Sequence, residues 1–348
     1  MAGGNVSITR RREYYGAVLD KHEAKLESMI DFPLRYLKRV QEESWEAGEK
    51  VVIPAKFERH ATSTEFDSGW EKINLDVSPI VDTLEERWCD VVRPAAISGH
   101  EKRVIGTNKQ RKLDLFKERM DDTWLGFKAE HQEAAVIGGV SAWSNLIPLN
   151  GSDQTTGFLE AAAQGSQTNT IHGQSRATYT GALHFQNWYA DIGSVFSANG
   201  LHDLQELQVK TKKLRLEAMK NGARVGKQVL YVSDNFLLFL KRATEVREMY
   251  VDREGNPGNL VLMFGEWEID LLDLPQAGTN TTANPFSAIL VDHAAIRTQK
   301  KPDFFYKWSE VYNLAPQYDV EVKLLHTMCQ QVGAMAGTSG VLINGEVW

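Results

Sequence analysis

Residues 107–138 read TNKQRKLDLFKERMDDTWLGFKAEHQEAAVIG, and the rest of the chain is organised around them. Leu113, Phe116, Met120, Trp124, Phe127, His131 and Ala134 recur at steps of three and four. That spacing puts all seven side chains on one face of an α-helix. Lys109, Arg111, Lys112, Lys117, Glu118, Asp121, Asp122, Lys128, Glu130 and Glu133 fill the other faces. No proline interrupts the run, and Gly126 is its only internal glycine. About thirty residues at about 1.5 Å each make a rod of roughly 45 Å. The usual globular helix has a mean of about 11–12 residues. Gly138 and Gly139 supply the left-handed cap that ends it. The stretch predicts one long amphipathic helix, with Trp124 and Phe127 packed onto a sheet.

Upstream, RWCDVVRPAAISGHE (87–101) reads as a strand leading into this helix, with Trp88, Val91, Val92 and Ile97 as core candidates and Pro94 marking a turn or an edge. Before it, Val51, Ile53, Ala55 and Phe57 alternate with polar neighbours, and so do Ile73, Leu75 and Val77. Two period-two runs around the polar, glycine-containing segment 59–69 predict a long β-hairpin. So little apolar surface cannot hold a hairpin alone in water. It must lie against something, within the chain or on a partner. Residues 1–45 read as an arm. Leu26, Met29, Ile30, Leu34, Leu37 and Val40 have helical spacing, but Pro33 breaks the run. The expectation is that a neighbouring copy holds this arm.

Downstream, residues 139–200 are rich in Gly, Ser, Thr, Asn and Gln. Residues 178–182 regain strand character, and Phe185, Trp188, Tyr189, Ile192 and Phe196 form an aromatic cluster that reads as core packing. From residue 201 the texture is α/β. Leu204, Leu207, Leu214 and Ala218 mark one helix, ended by Asn221-Gly222. A strand follows at 228–232, then Ser233 and Asp234 as N-cap for a helix over 235–250. Strands are predicted at 260–264, 267–272 and 288–291, along the alternation Val320, Val322, Leu324, and at 341–343. No repeat of solenoid period is present.

Composition narrows the function. The chain has 348 residues, 42% hydrophobic and 24% charged, an ordinary globular balance with enough length for two or three domain-sized units. It has no apolar run of about 18 residues, so no membrane span is predicted. Arg10, Arg11 and Arg12 precede no apolar segment, so this stretch is not expected to be a secretory signal. The net charge of −7 argues against a protein built to grip nucleic acid, and the short basic runs 10–12, 210–215 and 300–301 read as solvated faces. The two cysteines, Cys89 and Cys329, cannot form a metal cage by themselves and point to a reduced compartment.

GxGxxG, GxSxG and HExxH are absent from the chain. GARVGKQ (222–228) is one residue short of a P-loop and has Gln228 where the magnesium-holding Ser or Thr belongs. His172 and His184 have no carboxylate at ligand spacing. The carboxylate pairs Glu85-Glu86 and Asp121-Asp122 read as solvated helix faces. No catalytic, cofactor-binding or metal-binding residue is assigned. Two classes of function stay open, a motif-poor α+β enzyme and a structural shell protein.

The order of pieces favours the second. An arm, a polar hairpin, RWCDVVRPAAISGHE, the long helix ending at Gly138-Gly139, and an α/β unit with YVSDNFLLFL (231–240), EIDLLDLP (268–275) and AILVDHAAI (288–296) follow one another. This order resembles the major capsid proteins of tailed bacteriophages, the Hong Kong 97 fold. The resemblance implies an α+β chain with an N-terminal arm (1–45), an E-loop hairpin (46–85) and a P domain (86–200) whose spine helix spans about 107–137. An A domain (201–300) and a C-terminal return to the P domain and the A/P junction (301–348) complete it. It implies a non-enzymatic protein that assembles with itself, as hexamers and pentamers, into an icosahedral head shell of the virion. That shell, made in the bacterial host cytoplasm, encloses double-stranded DNA without binding it specifically. An acidic balance suits such a lining. No cofactor and no membrane are implied. A portal and a cement protein would be partners, and the short stretch before the hairpin implies a separate scaffolding protein. The family's Lys–Asn crosslink does not carry over, because none of Lys50, Lys56 and Lys72 can be matched to it. Encapsulin-type compartment shells share the fold and are the alternative.

Overall fold

The computed structural model describes residues 36–45, 48–56, 81–105, 109–149, 157–160, 166–179, 186–191, 226–233, 247–250, 260–264, 266–272, 286–313, 320–333 and 339–343, with isolated helical positions between 208 and 237. In chain order the strands are β1 (Gln41–Ser44), β2 (Lys50–Lys56), β3 (Val81–Arg87) and β4 (Cys89–Ile97). Two helices follow, α1 (Gly99–Ile105) and α2 (Lys109–Val136). Then come β5 (Thr170–Ile171), β6 (Gln174–Ser175), β7 (Trp188–Asp191), β8 (Gln228–Val232), β9 (Arg247–Tyr250), β10 (Leu260–Phe264) and β11 (Trp267–Leu271). The last strands are β12 (Phe286–Asp292), β13 (Arg297–Trp308), β14 (Tyr312–Asn313), β15 (Glu321–Val332) and β16 (Gly340–Ile343).

The 28 residues of α2 form the predicted long helix. All seven residues of its apolar face are buried. Trp124 packs on Tyr306 and Trp308, with ring centroids 5.7 and 6.4 Å away, and Phe127 packs on Trp143 and Tyr306. The helix therefore packs onto a sheet, over β4 and β15 with its aromatic side chains reaching β13, as its aromatic face predicts. Gly138 and Gly139 take positive φ at its end, and the Gly138 N–H reaches back to the Glu133 carbonyl at 3.3 Å. At the other end α1 opens with a capping box. The Ser98 N–H donates to Glu101 at 2.9 Å, and the Glu101 N–H donates to Ser98 Oγ. Gly126 has a packing reason. The Arg93 guanidinium crosses the helix there, 3.2 Å from where a Cβ would stand, on its way to Glu130.

Two sheets carry the rest. In the five-stranded sheet β13 and β15 run antiparallel, β4 flanks β15, β14 pairs with the start of β15, and β1 lies parallel to β13. The seven-stranded sheet has the order β7-β16-β12-β8-β11-β10-β9. Its centre, β8 and β12, is apolar and buried, as 228–232 and 288–291 predict. The chain passes from one sheet to the other between β12 and β13 and again between β15 and β16. One hydrophobic core runs through both, joining Phe116, Trp124 and Leu325 to Tyr231, Ile289 and Val291.

Several sequence expectations change. The partner of β2 is Val81–Arg87, in register Lys50 to Arg87, while residues 57–80, including 73–77 and the tip 59–69, lie outside the described residues. A helix over 235–250 does not hold to its end. Leu237 is helical, but Arg247–Tyr250 pairs with β10, and that pairing overrides the local pattern. Of the strand expected over 178–182, residues 178 and 179 belong to a 3₁₀ turn (Arg176–Tyr179), and 180–182 lie outside the described residues. The pair Glu85-Glu86 lies on β3, a strand and not a helix. Val92, a core candidate, is 44% exposed, because it faces away from α2 on β4. The twelve-residue β13 was not foreseen. Its sequence RTQKKPDFFYKW is polar, and a register shift between Lys300 and Phe305 takes up Pro302. On β15 Val322 is buried as the alternation predicts, but Lys323 is buried as well and Leu324 only half-buried. Of the aromatic cluster, Trp188 is buried and stacks on Trp267.

Candidate functional site

The elements converge where the two sheets meet. A short strap, residues 36–44, crosses from one to the other. Its strand β1 adds to β13, with Glu42 and Glu43 on Lys300 and Arg297. Two residues before β1, Arg39 reaches β11 in the other sheet and binds Glu268 at 2.7 Å and Asp270 at 2.9 Å. Glu268 is also paired with Lys227. The carboxyl of Glu268 is held below its ordinary range because these two cations outweigh the cost of its burial.

Tyr36 is fully buried at the centre of this junction. Its hydroxyl donates to Gln331 Oε1 at 3.0 Å, and its ring meets Tyr231 edge-on at 5.9 Å. Tyr231 is hydrogen-bonded to His293 Nε2 at 2.8 Å. Burial, and next to it the charge of Arg39, push the His293 pKa down to about 4, so the imidazole is neutral. Gln330 and Gln331 at the end of β15 act as a pair of connectors. Gln331 donates to the Ala135 carbonyl at the end of α2. Gln330 donates to the carbonyls of Arg87 and Asn145, both at 2.7 Å, and accepts from the Ile147 N–H. Two buried amides thus tie the strap, the hairpin base, the helix end and the loop after it to one strand end.

The hairpin β2–β3 is anchored at its base. Val51, Trp88 and Val332 form a small apolar cluster with Trp45 and Met328 beside it, and the Trp88 indole donates to the Gly48 carbonyl. His172 holds the other side. It sits in a tight turn at φ +50°, followed by Gly173 at +78°. Its Nε2 accepts from the Gly333 N–H, its carbonyl accepts from the Glu85 N–H, and its Nδ1 lies 3.8 Å from Glu86. Burial lowers the pKa of His172, and Glu86 opposes that shift. Beside it the buried Arg176 gathers Gln167, Asn187 and the Phe158 carbonyl, and burial lowers its pKa to about 10.

Under α2, the His131 ring stacks on Trp143 at 4.4 Å, bonds Tyr306 through Nδ1 and faces Cys329 Sγ at 3.6 Å through Nε2. Burial brings its pKa down to about 3.

The sequence reading singled out no site residue. His172, without a carboxylate at ligand spacing in the sequence, is a buried anchor in the structure. His184 lies outside the described residues. In GARVGKQ the Gly226 N–H donates to Asp292 and Lys227 is paired with Glu268, so these groups serve the sheet junction. Tyr36, Arg39, His293 and Gln331 were missed because their partners are remote in sequence. The one local trace is Gln330-Gln331, two amides inside a mostly buried strand. Among the described residues no group of three metal-ligating side chains is placed to hold an ion, and no helix is long and apolar enough to cross a membrane.

No family model and no curated protein matches the sequence. Solved structures do match the fold. A chain from the capsid asymmetric unit of cyanophage A-1(L) superposes with a TM-score of 0.60 over 90% of this chain and 93% of that one, at 10% identity. A chain from the capsid of cyanophage P-SCSP1u gives 0.50 over 89% and 87%, again at 10% identity. An encapsulin of Synechococcus elongatus gives 0.48 over 89% and 86%, at 11% identity. At such identities the likeness is one of fold: this protein has an α+β fold like that of the phage capsid chains.

Proposed function

We propose that this chain is a major capsid protein that assembles with itself into the icosahedral head shell around the double-stranded DNA of a tailed phage. The observation that carries the reading is the match to a cyanophage capsid chain across 90% of this chain and 93% of that one. The construction supports it. The polar groups at the sheet junction, the hairpin base and under α2 are spent on holding elements together, as a building block requires.

In this reading α2 is the spine helix and β2–β3 the base of the E-loop. The five-stranded sheet belongs to the P domain and the seven-stranded sheet to the A domain. The division 1–45, 46–85, 86–200, 201–300 and 301–348 follows, with the modification that β12 leads out of the A domain and β16 returns to it. Subunits form hexamers and pentamers. A separate scaffolding protein, a portal and a cement protein are the expected further partners. The protein acts in the virion and is made in the host cytoplasm, without enzymatic activity.

Electron microscopy of the purified protein, alone and co-expressed with its genomic neighbours, tests this. Icosahedral shells or capsomers are expected. Small closed shells loaded with a single enzyme cargo would move the assignment to an encapsulin-type compartment. A uniform monomer or dimer that turns over a small molecule would overturn it in favour of an enzyme.

A further inference from the structure

The chain has two cysteines, and the fold places them face to face. Cys89 on β4 and Cys329 on β15 are direct partners in the antiparallel register. Directly opposed residues of such a pair share a face of the sheet and stand about 4.5–5.5 Å apart at Cα. A disulfide spans about 4.4–6.8 Å. Both thiols are free, and they are 1% and 0% exposed beneath α2. Cys329 Sγ rests 3.6 Å from His131 Nε2, and Cys89 receives backbone hydrogen bonds from Asn145 and Leu146. No third thiol exists in the chain to compete.

We propose that Cys89 and Cys329 are an oxidisable pair, which a small-molecule disulfide of the glutathione class closes into an intrachain bond between β4 and β15. One cysteine, as thiolate, attacks the reagent disulfide, forms a mixed disulfide and releases one small thiolate. The other, as thiolate, attacks the protein sulfur of that mixed disulfide and releases the second. The two cysteine protons end on the two small thiols. Two protein thiols are oxidised, and one small disulfide is reduced to two thiols. Burial raises both thiols, Cys89 up to about 12 and Cys329 well above its ordinary value. Closure therefore waits for β4 to open from β15. In a reducing compartment the pair stays open while the chain folds. In oxidising surroundings it closes slowly, and the new bond is then shielded from reductant. The inference does not depend on the shell assignment.

The test incubates the purified full chain with oxidised glutathione just below the onset of melting, then maps peptides without reductant. The expected result is the Cys89 peptide joined to the Cys329 peptide with loss of two hydrogens, monomer mobility on a non-reducing gel, and a melting temperature raised by several degrees that reductant restores. Cys329→Ser should abolish both the link and the rise. Two thiols that stay titratable, glutathione adducts on both cysteines without a link, or a link between separate chains would each overturn the proposal. The wild-type peptide map decides even where the serine variant fails to fold.

Discussion

The indole of Trp188 lies across Gly340 so closely that a Cβ at position 340 would stand 2.2 Å from two of its ring atoms. The two residues are partners in the parallel pairing of β7 with β16. The Trp188 ring then stacks on Trp267 at 6.4 Å. A glycine here fixes where an edge of the seven-stranded sheet can close.

Gly340→Ala is therefore expected to destabilise the protein by about 1–3 kcal/mol or more, the range of core overpacking. The methyl meets a rigid ring that cannot swing aside without losing its stack. Thermal melting of the purified subunit reads this directly. A variant that melts with wild type would mean that Trp188 does not cover Gly340.

Trp124→Ala removes the largest side chain from the contact of α2 with β13. Trp124 is buried against Tyr306 and Trp308, with the Lys128 ammonium 4.4 Å from its ring centroid. Truncating such an aromatic costs about 3–5 kcal/mol, so insoluble protein or a large drop in melting temperature is expected. A shift of only a degree or two would contradict the packing.

Acid should weaken the fold through its buried neutral histidines. His293 and His131 have folded pKa values of about 4 and about 3, against an ordinary 6.5. The unfolded chain takes up these protons first as pH falls. The stabilisation is complete above pH 6.5 and is lost as pH falls towards those folded values. For His293 alone it is on the order of 3 kcal/mol. The Glu268 carboxyl, held low, adds its own loss only below its ordinary value of 4.5. Melting temperatures should fall steadily from pH 7 to pH 4.5, and His293→Gln should flatten that slope. A flat profile in the wild type would contradict neutral burial of these rings.

On the proposed shell function, deleting residues 59–69, which the sequence pattern assigns to a hairpin tip, should leave a soluble subunit that forms no stable shells. The base of that hairpin is secured by Trp88, Val332 and His172, so the subunit itself should survive the deletion. Electron microscopy and sedimentation read the outcome. Normal shells from the deletion would remove the hairpin tip from assembly.

On the proposed shell function, capsomers should bind duplex DNA weakly at physiological salt, no tighter than the non-specific range of about 10⁻⁴–10⁻⁶ M. The chain holds 39 basic against 46 acidic residues. Of its basic groups, Arg39, Lys50, Arg93, Lys112, Arg119, Lys212, Lys227, Arg297 and Lys300 are engaged by carboxylates. Nanomolar affinity in a filter assay would overturn the inert lining and shift attention to Arg10, Arg11 and Arg12 of the arm.

Sequence alone determined the long helix, its buried face and its glycine end, and the short apolar strands β8, β10, β11 and β12. An α-helix closes its hydrogen bonds four residues away, and an apolar strand announces its burial through its own side chains. Tertiary structure alone decided β13, whose charges read as solvated until Glu42 and Glu43 of β1 meet them. It decided that Arg247–Tyr250 is strand, that Cys89 faces Cys329, and that Arg39 and Tyr36 bridge two sheets. Strand pairing and buried ion pairs join residues that are remote in the chain, so no window of sequence contains both partners.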